Sequence, residues 1–290
     1  MYKPDHGSSP FDWSKLGSTA PEALVDARIL AHHAVQWATR SARANLQAAP
    51  DDSHTSLDWD AKLAALLSRP LPTAAGPLRV GIQIPGIRLV AVRAVAVADG
   101  FSLDGKTDEA AGAWVDSALA ECGLKPATGV SLPYRIPDPE GALYEVRANA
   151  GALAELSRWF ECASAVLEFV RAGLGDLRAR ASPVRCWPHH FDIATLVALG
   201  DSSAEPARSI GIGVSPGDEF HAQPYVYVSP WPRFDAAALP ALPRPGQWQT
   251  QGFFGAVATA RQILELADRE SELLAFILGA IEIGRARLGA

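Results

Sequence analysis

The stretch Arg185-Cys186-Trp187-Pro188-His189-His190-Phe191-Asp192 sets two adjacent imidazoles beside a carboxylate, just ahead of an apolar run. Metal ligands, general bases and proton shuttles are drawn from such side chains. A looser version lies upstream at Asp51-Asp52-Ser53-His54, followed by Leu57-Asp58-Trp59. A third lies at Asp218-Glu219-Phe220-His221. Pro188 disfavours helical geometry at Trp187. An extended chain here would put His190 and Asp192 on one face and His189 on the other. The chemistry this suggests is a site gathering His54, His190, Asp192 and Glu219 around one divalent metal ion. Metal-bound water would attack a small polar molecule, with His190, Asp192 and Glu219 as the catalytic groups. A plainer reading stands beside it. An imidazole at the start of a strand can bond a backbone carbonyl, and Asp51 and Asp52 suit tight turns. The ligands are dispersed and none fall in HExxH or CxxC spacing.

Aromatic residues supply candidate walls for a substrate. Alternation puts Tyr225, Tyr227 and Ser229 on one face of a strand, and with Trp231 and His189 they form the expected substrate-binding set. Gly211 and Gly213 alternate on a neighbouring strand and leave one face bare to a close approach. Gly213-Val214-Ser215-Pro216-Gly217 matches G-x-S-x-G, the nucleophile elbow. The elbow needs the backbone N–H after the serine, and Pro216 has none. This segment is expected to be a turn that ends a strand.

The elements that must position these groups read as α+β. A helix is predicted from Pro21 to about Gln47. Its small-residue face is Leu24, Ala27, Ala31, Ala34 and Ala38. Its polar stripe, Arg28, His32, Gln36 and Arg40, is expected to face solvent, and His33 lies a helical step away from His32. Leu57–Leu67 fits strand or helix. Strands are predicted at Leu78–Ile84, Ile87–Ala98 and Phe101–Leu103, with a turn at Ala98-Asp99-Gly100. Thr107 caps a helix that reaches Cys122 and closes at Gly123. Lys125–Glu140 is a Pro-rich connector. A long helix from about Asn149 to Arg178, broken near Gly173-Leu174-Gly175, precedes strands at Phe191–Leu199, Arg208–Val214 and Tyr225–Ser229. A Pro-rich loop, Pro230–Gly246, leads to helices at Phe253–Asp268 and Glu270–Leu288. The segment Gln247–Phe254 would place a helix N-terminus where an anion could bind.

Short connections between strands predict a mainly antiparallel sheet with flanking helices. The order helix–strands–helix occurs twice, which fits either a duplication or the ordinary alternation of an α+β protein. The expected division is an arm at 1–20, a first half at 21–140 and a second half at 141–290, with one composite domain as the alternative. A duplication would bring His54 opposite His190.

Bulk properties narrow the function classes. Of 290 residues, 48% are hydrophobic and 20% charged, a globular balance. A net charge of -6 with scattered basic residues argues against nucleic acid as a partner. No apolar run is long enough for a bilayer, and the N-terminus lacks the apolar core of a secretion signal. The location expected is the cytoplasm. Three cysteines, Cys122, Cys162 and Cys186, form neither a C-x-x-C pair nor an even set for disulfides.

The segments Arg185–Asp192, Ser215-Pro216-Gly217-Asp218 and Tyr225-Val226-Tyr227-Val228-Ser229-Pro230-Trp231-Pro232 resemble those of a bacterial conserved-hypothetical family. Asp51–Thr55 and Gly252-Phe253-Phe254 fit as well. The resemblance covers most of the chain beyond Pro21 and implies no activity. Three functions are therefore carried forward. One is a metal-dependent hydrolase of a small polar molecule. Another is a metal-free module binding a small ligand through its Tyr/Trp faces, with histidines setting pH-sensitive contacts. The third is a structural homodimer in which the His and Asp residues only fix loops.

Overall fold

A computed structural model describes residues 11–138, 141–200, 207–235 and 239–289. The fold is α+β, with helices and antiparallel sheets. Contacts divide the chain into two compact units. One comprises 22–161 with 185–191; the other comprises 1–21, 162–184 and 192–290. The division falls after Glu161, inside a helix, where the sequence suggested a border at 140. Among the described residues no helix is long and apolar enough to cross a membrane.

The first unit begins with helix α1 (Val25–Asn45). Its face of Leu24, Ala27, Ala31, Ala34 and Ala38 is buried, and small side chains there let the helix lie close to the sheet it packs on. The sheet is a meander of β1 (Asp58–Asp60), β2 (Ala65–Leu67), β3 (Leu78–Gln83), β4 (Arg88–Arg93) and β5 (Ala96–Ser102) in sequential order. The ambiguous stretch Leu57–Leu67 is thus a hairpin, with Ala64 at φ +48° in its turn. The turn predicted at Ala98-Asp99-Gly100 lies instead at Ala94-Val95, where Ala94 takes φ +53°. Asp99 and Gly100 stay in β5, paired with Ala91 and Val90. The Arg88 guanidinium lies over Gly100 where a Cβ would stand. Helix α2 (Asp108–Ala120) starts as expected at Thr107, whose hydroxyl accepts from Ala110 N at 3.2 Å. Gly112 on α2 leaves room for the Trp37 ring. Helix α3 (Ala150–Ala172) ends at the expected Gly173–Gly175 break. Strand β6 (Arg185–Trp187) completes the unit.

In the second unit the strands are β7 (Asp192–Ala198), β8 (Ser209–Ser215), β9 (Tyr225–Trp231), β10 (Gln247–Gln249) and β11 (Gly255–Thr259). Their order within the unit is β10-β11-β9-β8-β7. The first sheet is a plain meander and this one is not, so the two share no strand order. Ile210, Ile212, Val214, Val226, Val228, Ala256 and Ala258 alternate onto one buried face. Helix α5 (Arg269–Leu288) covers it, and Gly284 admits Ile210 at the contact. The helix predicted from Phe253 is overturned. Gly255–Thr259 is a fully buried strand between β9 and β10, and only α4 (Ala260–Leu264) is helical. Five small or β-branched residues fit a sheet interior, and Thr259 then starts α4 through a capping box with Gln262. The anion-binding helix N-terminus expected at Gln247–Phe254 therefore does not exist.

On the opposite face of this sheet Gly213 pairs with Tyr227 across β8 and β9. The Tyr227 ring lies over Gly213 where a Cβ would stand. Gly213→Ala is expected to lower stability by about 1–3 kcal/mol through overpacking. Combining it with Tyr227→Ala should cost less than the sum of the single changes. Urea denaturation of the four proteins measures both quantities, and strict additivity would mean that the ring does not occupy this space.

Candidate functional site

The polar stripe of α1 is not a solvated face. His32 and Gln36 are buried and turn toward the Cys186–Phe191 segment. His32 Nε2 lies 2.8 Å from the carbonyl of Pro188, so this nitrogen carries the proton. The Gln36 amide donates to the same carbonyl at 2.9 Å and to His32 O at 3.0 Å. Its oxygen accepts from the Tyr134 hydroxyl at 2.8 Å. The His32 ring stacks on Phe191 with centroids 5.0 Å apart.

These bonds hold a tight turn where the sequence suggested an extended chain. The amides of His190 and Phe191 both bond Trp187 O, at 3.1 and 2.7 Å. Phe191 is buried at φ +58°, a conformation that costs a non-glycine residue energy and needs tight surroundings. Pro188 suits the start of such a turn because its φ is fixed. His190 is exposed on the turn, whereas Asp192 is buried as the first residue of β7. The shared strand face expected for this pair is therefore absent. The His189 ring sits 4.3 Å from His190 and 5.8 Å from Tyr134.

Burial pushes the His32 pKa down from 6.5 to about 4; the bond to Pro188 O opposes this, and His33, Arg28 and His190 add repulsion. Burial and then the neighbouring His190 push His189 down to about 4 as well. Both rings are neutral at pH 7. Burial raises the Tyr134 pKa, which keeps its hydroxyl a donor to Gln36.

Beside this network a cleft of about 440 Å³ opens between α1 and the Pro-rich connector. His33, Gln36, Arg40, Asp108, Tyr134 and Arg135 line it. His33 Nε2 donates to Pro137 O at 2.7 Å and ties the connector to the helix. The Arg40 guanidinium lies 4.7 Å from the Trp37 ring and 4.0 Å from Asp108 Oδ2. Among the described residues it makes no hydrogen bond, and its Nε is buried without a partner. Asp108 Oδ1 is already taken by Trp37 Nε1 at 2.8 Å and Tyr144 OH at 2.7 Å. Burial and then the adjacent Asp108 raise the Tyr144 pKa. The sequence places Arg40 on a stripe expected to face solvent and does not single out Asp108, so sequence reasoning missed this cleft. The available signal was a helical stripe mixing His and Gln with Arg, since a stripe made only to meet solvent has no need of imidazole or amide groups.

The other predicted residues have structural duties. His54 is buried; its Nδ1 accepts from Ala49 N at 3.2 Å and lies 3.7 Å from Asp52 Oδ1. Asp52 takes φ +58° and pairs with Arg43. Asp51 accepts from Ser53, the main cause of its lowered pKa. The two motifs do meet, but through backbone. Leu57 and Cys186 exchange N–H···O bonds of 2.9 and 2.8 Å. In the second unit Asp192 is 6% exposed and its Oδ2 accepts from Tyr227 OH. Tyr225 OH donates to Asp218 Oδ2, while Asp218 Oδ1 accepts from Phe220 N and His221 N at 2.8 and 2.9 Å. Burial is the first cause that raises both tyrosine pKa values, followed by their carboxylate partners. The bare glycine face is filled by Tyr227 itself, and Trp231, 56% exposed, stands at the end of β9. Ser215 ends β8, and its Oγ accepts from Gly217 N at 3.1 Å.

Glu219 is exposed at a turn while Asp192 is buried under Tyr227. Among the described residues no three His, Cys, Asp or Glu side chains are grouped so as to hold a metal ion. Among the described residues Asp192 and Asp218 meet tyrosine hydroxyls, Asp52 pairs with Arg43, His190 and Glu219 are exposed, and His221 Nε2 is buried without a hydrogen-bond partner. Compared with family models, with curated proteins and with solved structures, the chain shows no match.

The depressed imidazoles make stability depend on pH. As pH falls, the unfolded chain takes up protons near 6.5 before the folded one does near 4. Their stabilising contribution is complete above pH 6.5 and is lost progressively toward pH 4. The melting temperature is expected to fall across that window. His32→Gln keeps a donor for Pro188 O and removes one titration, so its decline should be shallower. Scanning fluorimetry from pH 7.5 to 4 checks this; an unchanged slope in the variant would remove His32 as a cause.

Proposed function

We propose that the protein is a metal-free binding module for a small polar molecule bearing a carboxylate, seated in the cleft beside α1. Arg40 carries this reading. Its guanidinium is steadied by the Trp37 ring and lies 4.0 Å from Asp108 Oδ2. Five N–H donors in a fixed fork suit a bidentate oxyanion. Gln36 and Tyr134 are locked to each other and to the Pro188 turn, which gives the ligand a preorganised polar wall. Asp108 lines the same space, and its Oδ2, which takes neither the Trp37 nor the Tyr144 bond, would offer an acceptor for a hydroxyl or amino group of the ligand. The volume lies within the ordinary range for small-ligand clefts, about 300–1,000 Å³. Arg40 and Arg135 bring positive charge to the cleft, and Asp108 and Asp138 bring negative charge.

A thermal-shift panel of small hydroxy and amino acids, followed by calorimetric titration of those that stabilise, tests the proposal. Arg40→Ala should weaken binding by about 1.5–3 kcal/mol, the worth of charge-assisted hydrogen bonds, or roughly ten- to hundredfold. Asp108→Asn should weaken the amino acids more than the carboxylates that lack an amine. His190→Ala should leave affinity unchanged. Binding that survives Arg40→Ala, or a panel without a single saturable response, would overturn the reading.

A further inference from the structure

On the first unit, three arginines from separate elements converge on one carboxylate. Asp58 lies on β1, Arg79 on β3 and Arg185 on β6, and Arg69 follows β2. Arg69 Nη1 reaches both oxygens of Asp58, at 3.0 and 2.9 Å. Arg79 Nη2 bonds Asp58 Oδ2, and its Nε is spent on Ser68 O at 2.7 Å. Arg185 is the least engaged. Its Nη1 is 3.8 Å from Asp58 Oδ1 and 3.4 Å from Ser56 Oγ. The nearest other acid along the β1 face, Asp60, turns its carboxylate to the amides of Lys62 and Leu63.

Three guanidinium charges against one carboxylate leave two positive charges at this spot. The side chains of Asp58, Arg69, Arg79 and Arg185 are only 33, 30, 22 and 18% exposed, so solvent screens them incompletely and still reaches them. Burial, followed by Arg69 and Arg79, disfavours the charged form of Arg185. Like charges gathered in a half-buried place cost free energy that a matching anion would recover. The role of Asp58 is to hold the forks in place; it cannot neutralise all of them.

We propose that Arg69, Arg79 and Arg185, organised by Asp58, form a binding site for a phosphoryl dianion. The oxyanion would sit against the free donors of Arg185 and the outer face of Arg69. Two excess charges and planar forks fit a dianion with several acceptor oxygens better than a single carboxylate. The phosphoryl group can come from free phosphate or from a phosphomonoester. The site is separate in its residues from the Arg40 cleft and does not depend on the proposal made for it.

The test is calorimetric titration of the full chain with inorganic phosphate and, separately, with glycerol phosphate, at ionic strength fixed with chloride. Saturable binding of at least one is expected, and the tighter of the two names the source. Arg185→Ala should weaken it at least tenfold, and Arg185→Lys, which keeps the charge but loses the fork, should fall between. Arg40→Ala should leave it intact, which separates this site from the cleft. Response to neither ligand beyond chloride, or unchanged affinity in Arg185→Ala, would overturn the proposal. Should Arg185→Ala fail to fold, the lysine variant decides in the same way: wild-type affinity in it would leave the fork without a role.

Discussion

The carbonyl oxygen of Pro188 is the point on which the first unit's polar architecture turns. A proline brings an acceptor to a buried turn and no donor of its own. A carbonyl enclosed without a partner would cost about 1–3 kcal/mol. Helix α1 meets this demand twice, through His32 and Gln36. Everything nearby inherits its position from that choice. The Trp187–Phe191 turn is drawn onto the helix, Phe191 is stacked beneath His32, and Tyr134 is oriented by the oxygen that Gln36 has left. The wall of the cleft is thus set by a bond whose atoms do not line the ligand space as charges.

Electrostatic capacity is distributed unlike electrostatic appearance. Asp192 and Asp218 each meet a tyrosine hydroxyl, and His54 serves the backbone of its own loop. Arg40 and Arg185, ordinary surface residues by type, keep donors that the fold has not consumed. Aromatic stacking and partial burial raise the worth of such donors, because a guanidinium in a half-dry place interacts more strongly than one in bulk water. The unspent donors lie on Arg40, outside the His/acid motifs, and on Arg185, at the first position of one of them.

Much of the fold was legible from local chemistry. The apolar face of α1, the Thr107 cap, the glycine break after α3 and the alternation in β3, β8 and β9 are properties of neighbouring residues, and each stands where the sequence put it. Misreadings arose where tertiary partners decided. Gly255–Thr259 runs directly into the helical Ala260–Leu264 and reads with it as one helix, but it is a strand with β9 and β10 on either side. Asp99-Gly100 has turn chemistry and stayed in β5, with Arg88 over the glycine. The candidate site was less legible still. The sequence ties His54 to His190 only through a duplication, whereas Leu57 and Cys186 join the two stretches by backbone bonds that no side-chain pattern announces. Asp58 was noticed only as part of a motif, because its three arginines lie 11, 21 and 127 positions away.

The chain order of the first unit has a consequence for biosynthesis. Residues 22–161 are made before the segment 185–191 that belongs with them, which follows an excursion into the second unit. A nascent chain emerging from the ribosome can form the β3–β4–β5 hairpins early, since their contacts are local. His32, Gln36 and Leu57 must wait, with polar and backbone groups unmatched, until about two-thirds of the polypeptide has been translated. The first unit therefore cannot close until its last short segment is made, and a ribosome stalled before Cys186 would hold a sheet whose helix had yet to find its latch.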